Sequence, residues 1–312
     1  MSSKNVVITG GAGFIGSNLV GVLLEEGHEV IVIDNLSTGK VENIANLQDN
    51  EHFKFVKGSI TDLSLLKQVF EDAESVFHQA AIPSVQRSVE NPQATNEANV
   101  NGTLNVLIAA RDCGVKKVVY ASSSSVYGDT PTLPKREDME PNPKSPYAVS
   151  KLAGEFYCRV FSEVYGLKTA CLRYFNVYGP KQDPSSEYAA VIPRFITRVL
   201  NNQPPIIYGD GTQTRDFTFV KDVAHANILA MEQNVEGVLN IACGEQISVN
   251  ELATILMELV GVRLDVVYDE PRPGDIKDSL ADISLAKGKL KYEPEFTLTK
   301  GLEETIRWFQ KN

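Results

Sequence analysis

The amino-acid sequence predicts an α/β fold, in which a doubly wound parallel sheet is followed by a smaller mixed α/β lobe at the C-terminal end. Short β-branched runs alternate with helical patterns through the first half of the chain, which is typical of βαβ units. A glycine-rich turn separates the first run from the first helical pattern. After about residue 176 turn signals multiply and the elements shorten. We therefore divide the chain at 1–176 and 177–312 and expect some exchange of chain between the two parts.

The strands and helices are expected in the following order. The first strand is the run Val6–Thr9, and a helical pattern follows its glycines. Further strands are expected at Glu29–Ile33, Phe53–Val56, Ser75–His78, Lys117–Ala121 and Thr169–Arg173. In the second part, Ser248 is expected to cap a helix that begins at Val249, and the last helix is expected at Thr299–Phe309.

Size and composition indicate an ordinary globular chain of about two domains. The 312 residues are 43% hydrophobic and 22% charged, with a net charge of −10. This excess of acid disfavours nucleic acid and acidic membranes as partners. The closest pair of the four cysteines, Cys158 and Cys171, is 13 positions apart. That spacing predicts reduced thiols in a cytoplasmic protein, with no disulfide framework and no metal site.

The glycines of the first turn form a G-x-x-G-x-x-G pattern at Gly10, Gly13 and Gly16. Glycines at this place permit a tight turn and let the backbone approach a pyrophosphate at the helix N-terminus. Asp34 ends the second strand, where a carboxylate can hold the adenosine ribose and repel a 2′-phosphate. The strand, turn and helix together predict a Rossmann-like dinucleotide site that prefers NAD to NADP.

A tyrosine and a lysine four residues apart, Tyr147 and Lys151, share one face of a predicted helix. A free tyrosine ionises near pH 10, so its pKa must fall before the phenolate can act as a base. The Lys151 ammonium and a positively charged nicotinamide can together lower that pKa. The predicted strand Lys117–Ala121 runs into four serines, Ser122–Ser125, whose hydroxyls are expected to face the cofactor at the carboxyl end of the sheet.

Several motifs in this order resemble the extended short-chain dehydrogenase/reductase superfamily, and more narrowly the nucleotide-sugar 4-epimerases that act on UDP-glucose and UDP-N-acetylglucosamine. They are the glycine pattern, the serines before Val126-Tyr127-Gly128, Ser145-Pro146-Tyr147 with Lys151, and Arg173-Tyr174-Phe175-Asn176. The resemblance covers essentially the whole chain. It implies interconversion of C4 epimers through a 4-keto intermediate, with transient reduction of bound NAD.

The resemblance also implies roles for particular residues. Tyr147 would remove the proton of the sugar 4-hydroxyl with the help of Lys151, and Ser123 would hydrogen-bond the same hydroxyl. The residues implied to bind NAD are Gly10, Gly13, Phe14, Ile15, Gly16, Asp34, Asn35, Ser37, Thr38, Gly39, Lys40, Ser59, Ile60, Gln79, Ala80, Ala81, Asn99, Ser123, Tyr147, Lys151 and Phe175. Those implied to bind the substrate are Ser123, Ser124, Tyr147, Asn176, Val191, Tyr208, Arg215, Arg272, Asp275 and Ser279.

Other reactions on the same scaffold remain alternatives, because the fold alone does not decide the chemistry. Sugar 4,6-dehydratases typically carry an Asp-Glu pair in the segment of Ser123–Ser125, and decarboxylases usually have a glutamate near Ser125; this chain has neither. A UDP-glucuronate 4-epimerase stays open. So does a non-catalytic dinucleotide sensor, although a sensor would not need Tyr147.

Three further expectations come from the resemblance. Ser279 stands where the epimerases vary between a bulky aromatic and a small residue, so we expect room for an N-acetyl group at C2. Ser59 stands where the family often has an aspartate that contacts the adenine, so that contact is weaker or comes from Asp62. The helical segments around Ala94–Cys113 and Tyr147–Tyr165 predict a homodimer.

Overall fold

The computed structural model describes residues 3–184, 190–271 and 276–311. The described strands are β1 Asn5–Thr9, β2 Glu29–Asp34, β3 Phe53–Lys57, β4 Ser75–His78, β5 Lys117–Ser123, β6 Lys168–Tyr174, β7 Val177–Tyr178, β8 Ile206–Tyr208, β9 Thr214–Arg215, β10 Thr218–Phe219, β11 Gly237–Ile241, β12 Ile247–Ser248 and β13 Val267–Asp269. The described α-helices are α1 Phe14–Glu25, α2 Leu63–Val69, α3 Val85–Glu90, α4 Pro92–Asn96, α5 Gly102–Asp112, α6 Pro146–Tyr165, α7 Val191–Leu200, α8 Val220–Glu232, α9 Val249–Val260, α10 Ser284–Leu290 and α11 Leu298–Phe309.

Seven of these strands form one parallel sheet in the order β11-β6-β5-β4-β1-β2-β3. The predicted doubly wound parallel α/β fold is thereby confirmed, and each expected strand lies within two residues of its predicted bounds. The chain moves outward from β1 first through β2 and β3 and then, in the other direction, through β4, β5 and β6. The strand order therefore reverses between β1 and β4, the place where open α/β sheets bind ligands.

Both faces of the sheet are covered by helices. Along β1, Val6 and Ile8 pack with apolar residues of α1 and α8, whereas Val7 packs with apolar residues of α5 and α6. This alternation follows from the two-residue period of a strand, which sends successive side chains to opposite faces. The catalytic candidates on β5 and α6 are therefore fixed to a sheet that is buried on both sides.

The second part of the chain builds a separate apolar cluster from α7, α9 and α11, in which Phe219 is fully buried. Ser248 caps α9 as predicted, since its hydroxyl accepts from the Glu251 N–H at 3.1 Å and the Glu251 carboxylate accepts from the Ser248 N–H at 2.9 Å. The second part also supplies β11, which pairs with β6 at the edge of the large sheet. No helix in the described ranges is long and apolar enough to span a bilayer.

Candidate active site

The glycine turn between β1 and α1 has no room for side chains. Gly10 has a φ of +74°, and a Cβ there would lie 2.6 Å from the backbone of Ala80. A Cβ on Gly16 would overlap the Gly10 carbonyl oxygen. Gly13 is the N-cap of α1 and has no side chain to accept from the first amides of the helix. A turn whose backbone a ligand can approach closely, and which presents N–H donors at a helix N-terminus, fits the pyrophosphate of a dinucleotide.

Asp34 lies at the end of β2, directly beside this turn. Its Oδ2 accepts from the Ala12 N–H at 3.0 Å and its Oδ1 accepts from the Leu36 N–H at 2.8 Å. Burial raises the pKa of this carboxyl, and the two backbone bonds oppose that effect. A Cβ on Gly39 would lie 2.9 Å from Asp34, so the loop that follows β2 closes tightly on the carboxylate. A fixed carboxylate in this position suits a ribose hydroxyl.

The other residues predicted to contact the cofactor lie on the loops that follow β2, β3 and β4. Asn35 accepts from the Ser37 N–H at 3.0 Å, and Lys40 pairs with Asp183 at 3.0 Å. The Ser59 hydroxyl is engaged by Thr61 at 2.8 Å. The carboxylate of Asp62, the alternative adenine contact, caps α2 by accepting from the Leu65 N–H at 3.0 Å.

Gln79, Ala80 and Ala81 continue β4 into the cleft at the strand reversal. The Gln79 amide donates to the Tyr174 hydroxyl at 3.1 Å and to Asn227 Oδ1 at 3.0 Å. Asn99 is buried and lies on a single turn of π-helix, Glu97–Asn101. Such turns are frequent at functional sites.

Tyr147 and Lys151 lie in the first two turns of α6. The Lys151 side chain is 4% exposed, and its ammonium donates to the carbonyl of Ala121 on β5 at 2.7 Å. That ammonium lies 5.9 Å from the centre of the Tyr147 ring and 5.1 Å from the centre of the Tyr120 ring. Burial lowers the pKa of Lys151 to about 8, and nearby Glu155 opposes the shift. The two predicted residues are thus side by side, with the lysine held by the sheet.

Ser123 ends β5, and its hydroxyl beside Tyr147 lowers the pKa of the phenol. Burial acts in the opposite direction and is the larger effect, so the pKa of Tyr147 lies above its ordinary value in the protein alone. The lowering expected from the sequence must therefore come from a charge that the protein alone does not supply, which is the positive nicotinamide of bound NAD. The Ser123 Oγ also accepts from the Ser125 N–H at 3.2 Å. The Ser125 hydroxyl is buried and has no hydrogen-bond partner in the described part of the chain.

An ion pair that was not predicted from the sequence lies behind these residues. Glu155 on α6 accepts from the Arg173 guanidinium at 2.8 and 2.7 Å. It also accepts from the Ser122 hydroxyl at 2.5 Å. The sequence shows only that Lys151 and Glu155 share one face of α6 through their spacing, and this does not indicate Arg173 as the partner.

A cavity of about 250 Å³ in the second lobe brings together four of the predicted substrate residues, Asn176, Val191, Tyr208 and Arg215. Ser279 is adjacent, because its hydroxyl accepts from the Asn176 amide at 3.3 Å. Two further predicted substrate residues, Arg272 and Asp275, lie outside the described residues.

Sequence reasoning missed Arg194, which also lines this cavity. Its guanidinium donates to the Tyr208 hydroxyl at 3.1 Å and lies 5.0 Å from the centre of that ring. Val191 and Arg194 are three residues apart on α7, and this helical spacing could have indicated a shared face. Phe175, predicted at the nicotinamide, is buried and lies 6.1 Å from Tyr127 between ring centres.

Comparison with known proteins agrees with this geometry. The NAD dependent epimerase/dehydratase family matches residues 6–242. A UDP-glucose 4-epimerase of Mycolicibacterium smegmatis is 40% identical over 307 residues, covering 97% of this chain and 98% of that protein. The chain therefore belongs to the NAD dependent epimerase/dehydratase family, and its cofactor is NAD. Within that family it is a member of the UDP-sugar 4-epimerases.

Two solved structures with the same fold differ in the UDP-sugars that they hold. One is a UDP-N-acetylglucosamine 4-epimerase from Methanobrevibacter ruminantium M1 in complex with UDP-N-acetylmuramic acid; it is 45% identical with a TM-score of 0.96, and the match covers 100% of this chain and 99% of that one. The other is a UDP-glucuronic acid 4-epimerase from Bacillus cereus in complex with UDP-glucuronic acid and NAD; it is 35% identical with a TM-score of 0.91, and the match covers 98% and 99%. The resemblance inferred from the sequence is confirmed at the level of the family.

Proposed function

We propose that this protein is a UDP-hexose 4-epimerase that interconverts UDP-Glc with UDP-Gal, and UDP-GlcNAc with UDP-GalNAc. The observation that carries the proposal is that Ser123 at the carboxyl end of β5 lies close enough to Tyr147 to lower the pKa of its phenol, with the Lys151 ammonium 5.9 Å from the centre of the Tyr147 ring. The hydroxyls of Ser123 and Tyr147 can thus both hydrogen-bond one oxygen of the substrate. This is the minimum that abstraction of the 4-hydroxyl proton requires.

In the proposed mechanism, Tyr147 accepts the proton of the sugar 4-hydroxyl at its phenolate oxygen and returns it after the sugar has turned over. Ser123 orients the same sugar oxygen by a hydrogen bond. Lys151 favours the phenolate through its positive charge. The glycine turn would hold the pyrophosphate of NAD, and Asp34 would hold its ribose. When bound, NAD supplies the acceptor and donor of the hydride at C4.

Loss of water or of carbon dioxide is less well supported. Both reactions need an acidic side chain of the enzyme near C5 or C6 of the sugar, whereas this chain has the neutral residues Ser124 and Ser125 at the corresponding part of the site. The unpartnered Ser125 hydroxyl can hydrogen-bond a substrate but cannot serve as a strong acid or base near neutral pH.

Acceptance of N-acetylated sugars rests on Ser279. Its hydroxyl accepts from Asn176, which in turn donates to the carbonyl of Asp216 at 3.0 Å. A serine fixed in this way leaves space that a large aromatic side chain would fill. We therefore propose that the N-acetyl group at C2 is accommodated beside Ser279.

The protein is also proposed to act as a homodimer. Four large apolar side chains of α6, Val149, Phe156, Val160 and Val164, are 53%, 48%, 41% and 65% exposed. Their spacing of seven, four and four residues puts them on one stripe of the helix. An apolar stripe of this size favours a partner surface, and a second copy with the same stripe buries both.

The function is tested by incubating the purified, NAD-loaded protein separately with UDP-Glc, UDP-GlcNAc and UDP-glucuronate and resolving the C4 epimers by NMR. We expect epimers of the first two. Turnover of UDP-glucuronate alone would assign the glucuronate reaction instead, and a 4-keto-6-deoxy product would indicate a dehydratase. With NAD demonstrably bound, the absence of any product would favour a dinucleotide sensor.

A further inference from the structure

A buried histidine, His78, joins the glycine turn to the π-helical turn through an unbroken series of hydrogen bonds. Its Nδ1 lies 2.7 Å from the Thr9 hydroxyl at the end of β1, and its Nε2 lies 2.9 Å from the Thr103 hydroxyl on α5. The Thr9 hydroxyl also accepts from the Ala80 N–H at 3.3 Å. The Thr103 hydroxyl also donates to the Asn99 carbonyl at 2.6 Å. His78 itself is 1% exposed.

The direction of every bond in this series follows from a count of protons. The hydroxyl of Thr103 has one proton, and the carbonyl of Asn99 can only accept, so that proton is used there. The proton between His78 and Thr103 must therefore belong to Nε2. A neutral ring then has an unprotonated Nδ1, which accepts from the Thr9 hydroxyl. Burial, with the charge of Lys151 in addition, lowers the pKa of His78 to about 3, which agrees with a neutral ring.

The series continues from Asn99 to the tyrosine. Asn99 Oδ1 accepts from the Ile82 N–H at 2.8 Å, and its amide donates to the Ser150 hydroxyl at 3.0 Å. The Ser150 hydroxyl donates to the Tyr147 carbonyl at 2.7 Å. One asparagine thus holds both the loop after β4 and the first turn of α6.

We propose that His78 is a positioning residue for the epimerase reaction. As the neutral Nε2–H tautomer, it fixes Thr103 and the π-helical turn, so that Asn99 holds the backbone of Tyr147 in place at the carboxyl edge of the sheet. This inference rests on the proposed role of Tyr147 as the base. Because the His78 ring has no free proton to give and, within the described residues, hydrogen-bonds to the two threonines alone, His78 acts through Asn99 and takes no part in proton transfer.

A histidine suits this position because it is a donor at one end of the ring and an acceptor at the other. The Thr9 hydroxyl, oriented by the Ala80 N–H, requires an acceptor, whereas the Thr103 hydroxyl requires a donor. The ring also packs against Tyr120, with ring centres 5.5 Å apart, which fixes its plane. A leucine or phenylalanine of similar size would leave the Thr9 hydroxyl proton without this acceptor and the Thr103 hydroxyl oxygen without this donor in a buried place.

The tautomer is tested by ¹⁵N NMR of the histidine-labelled, NAD-loaded protein, in which protonated and unprotonated ring nitrogens give distinct signals. The His78 signals are assigned by their absence from a His78→Gln sample. We expect a proton on Nε2, none on Nδ1, and no titration between pH 5 and pH 9. A proton on Nδ1, or titration near the ordinary pKa of histidine, would overturn the assignment. This readout does not depend on any turnover.

The positioning role is tested at Thr103, which leaves the histidine unchanged. Thr103→Val removes both hydrogen bonds without altering the shape, and Thr103→Ser keeps them. Thr305→Val is the matched control, because the buried Thr305 hydroxyl donates to the Gly301 carbonyl at 2.6 Å in the same helical geometry, on α11.

With saturating NAD and UDP-sugar, we expect Thr103→Val to lower kcat about tenfold or more, the scale for a displaced reacting group. The KM for the UDP-sugar should stay within about twofold, Thr103→Ser should restore most of kcat, and Thr305→Val should leave kcat unchanged. Equal kcat for Thr103→Val and the wild type, or no rescue by Thr103→Ser, would overturn the role. If the wild type itself produced no epimer, the proposed function would fail, while the NMR result would still decide the hydrogen-bond series.

Discussion

Glu155 and Arg173 form a two-point ion pair beneath the catalytic edge of the sheet, with side chains 5% and 3% exposed. The guanidinium also lies 4.6 Å from the centre of the Tyr127 ring. Glu155 follows Lys151 by one helical turn, and Ser122, which donates to Glu155, precedes Ser123. The pair therefore fixes α6 against β5 and β6, and with them the spacing of Lys151 and Ser123.

Removal of one charge from this pair is expected to destabilise the protein strongly, because it leaves the other charge buried without a partner. Glu155→Gln should lower the free energy of unfolding by about 3 to 5 kcal/mol, measured by urea denaturation. Glu163→Gln is the matched control on the same helix. Glu163 forms an exposed i,i+4 pair with Arg159, so its substitution should change stability by less than about 0.5 kcal/mol. Equal losses of stability in Glu155→Gln and Glu163→Gln would contradict the structural role of the buried ion pair.

Tyr147→Phe is expected to remove the base while leaving the ring in place. The kcat for epimerisation should fall by about 100-fold or more, while the Kd for the UDP-sugar, measured by titration calorimetry, should change little. Tyr165→Phe is the control at the other end of α6, where the side chain is 51% exposed. A Tyr147→Phe variant that retains its kcat would exclude the tyrosine as base.

Ser279→Tyr is expected to fill the space beside Asn176 and to reject the N-acetyl group. The kcat/KM for UDP-GlcNAc should fall about tenfold or more relative to that for UDP-Glc, measured with both sugars in one NMR assay. Ser279→Ala should keep the ratio close to that of the wild type. An equal loss on both sugars would show that Ser279 does not select the C2 substituent.

Charges on the apolar stripe of α6 are expected to separate the proposed dimer. Phe156→Glu should give the mass of one chain in light scattering, where the wild type should give the mass of two. Val267→Glu places the same charge at a valine of β13 that is 45% exposed and should leave the dimer intact. A monomeric wild type would remove the dimer proposal.

Asp222 on α8 predicts a pH dependence of stability. Its side chain is 2% exposed, its Oδ2 has no partner among the described residues, and burial raises its pKa to about 6 from 3.8. The folded state then binds this proton more tightly than the unfolded state, so the stabilisation is present below pH 4 and is lost as pH rises through about 6.

Asp222→Asn removes the buried charge and keeps an acceptor for the Glu295 N–H, which now donates to Asp222 Oδ1 at 2.9 Å. The variant should gain up to about 3 kcal/mol relative to the wild type at pH 8, from a pKa difference of about two units. The gain should shrink towards pH 4. Urea denaturation at both pH values measures it, and a gain that is independent of pH would contradict the assigned pKa.

The parts of the fold that depend on nearby residues could be predicted from the sequence. The Gly10 turn, the Ser248 cap and the shared face of Tyr147 and Lys151 each require only a few consecutive positions. The ion pair and the His78 series could not be predicted, since their geometry depends on packing between distant segments: Thr9 and His78 are 69 positions apart. For the same reason the sequence did not show that the Lys151 ammonium bonds to the Ala121 carbonyl.

In the proposed mechanism, the hydrogen at C4 of the sugar leaves and returns as a hydride, while Tyr147 accepts and returns only the hydroxyl proton. This mechanism is tested most directly by incubating the NAD-loaded protein with UDP-GlcNAc in D₂O and examining C4 of the product by NMR. We expect UDP-GalNAc that carries ordinary hydrogen at C4, because the hydride does not exchange with solvent. Deuterium at C4, or no epimer at all, would contradict this mechanism.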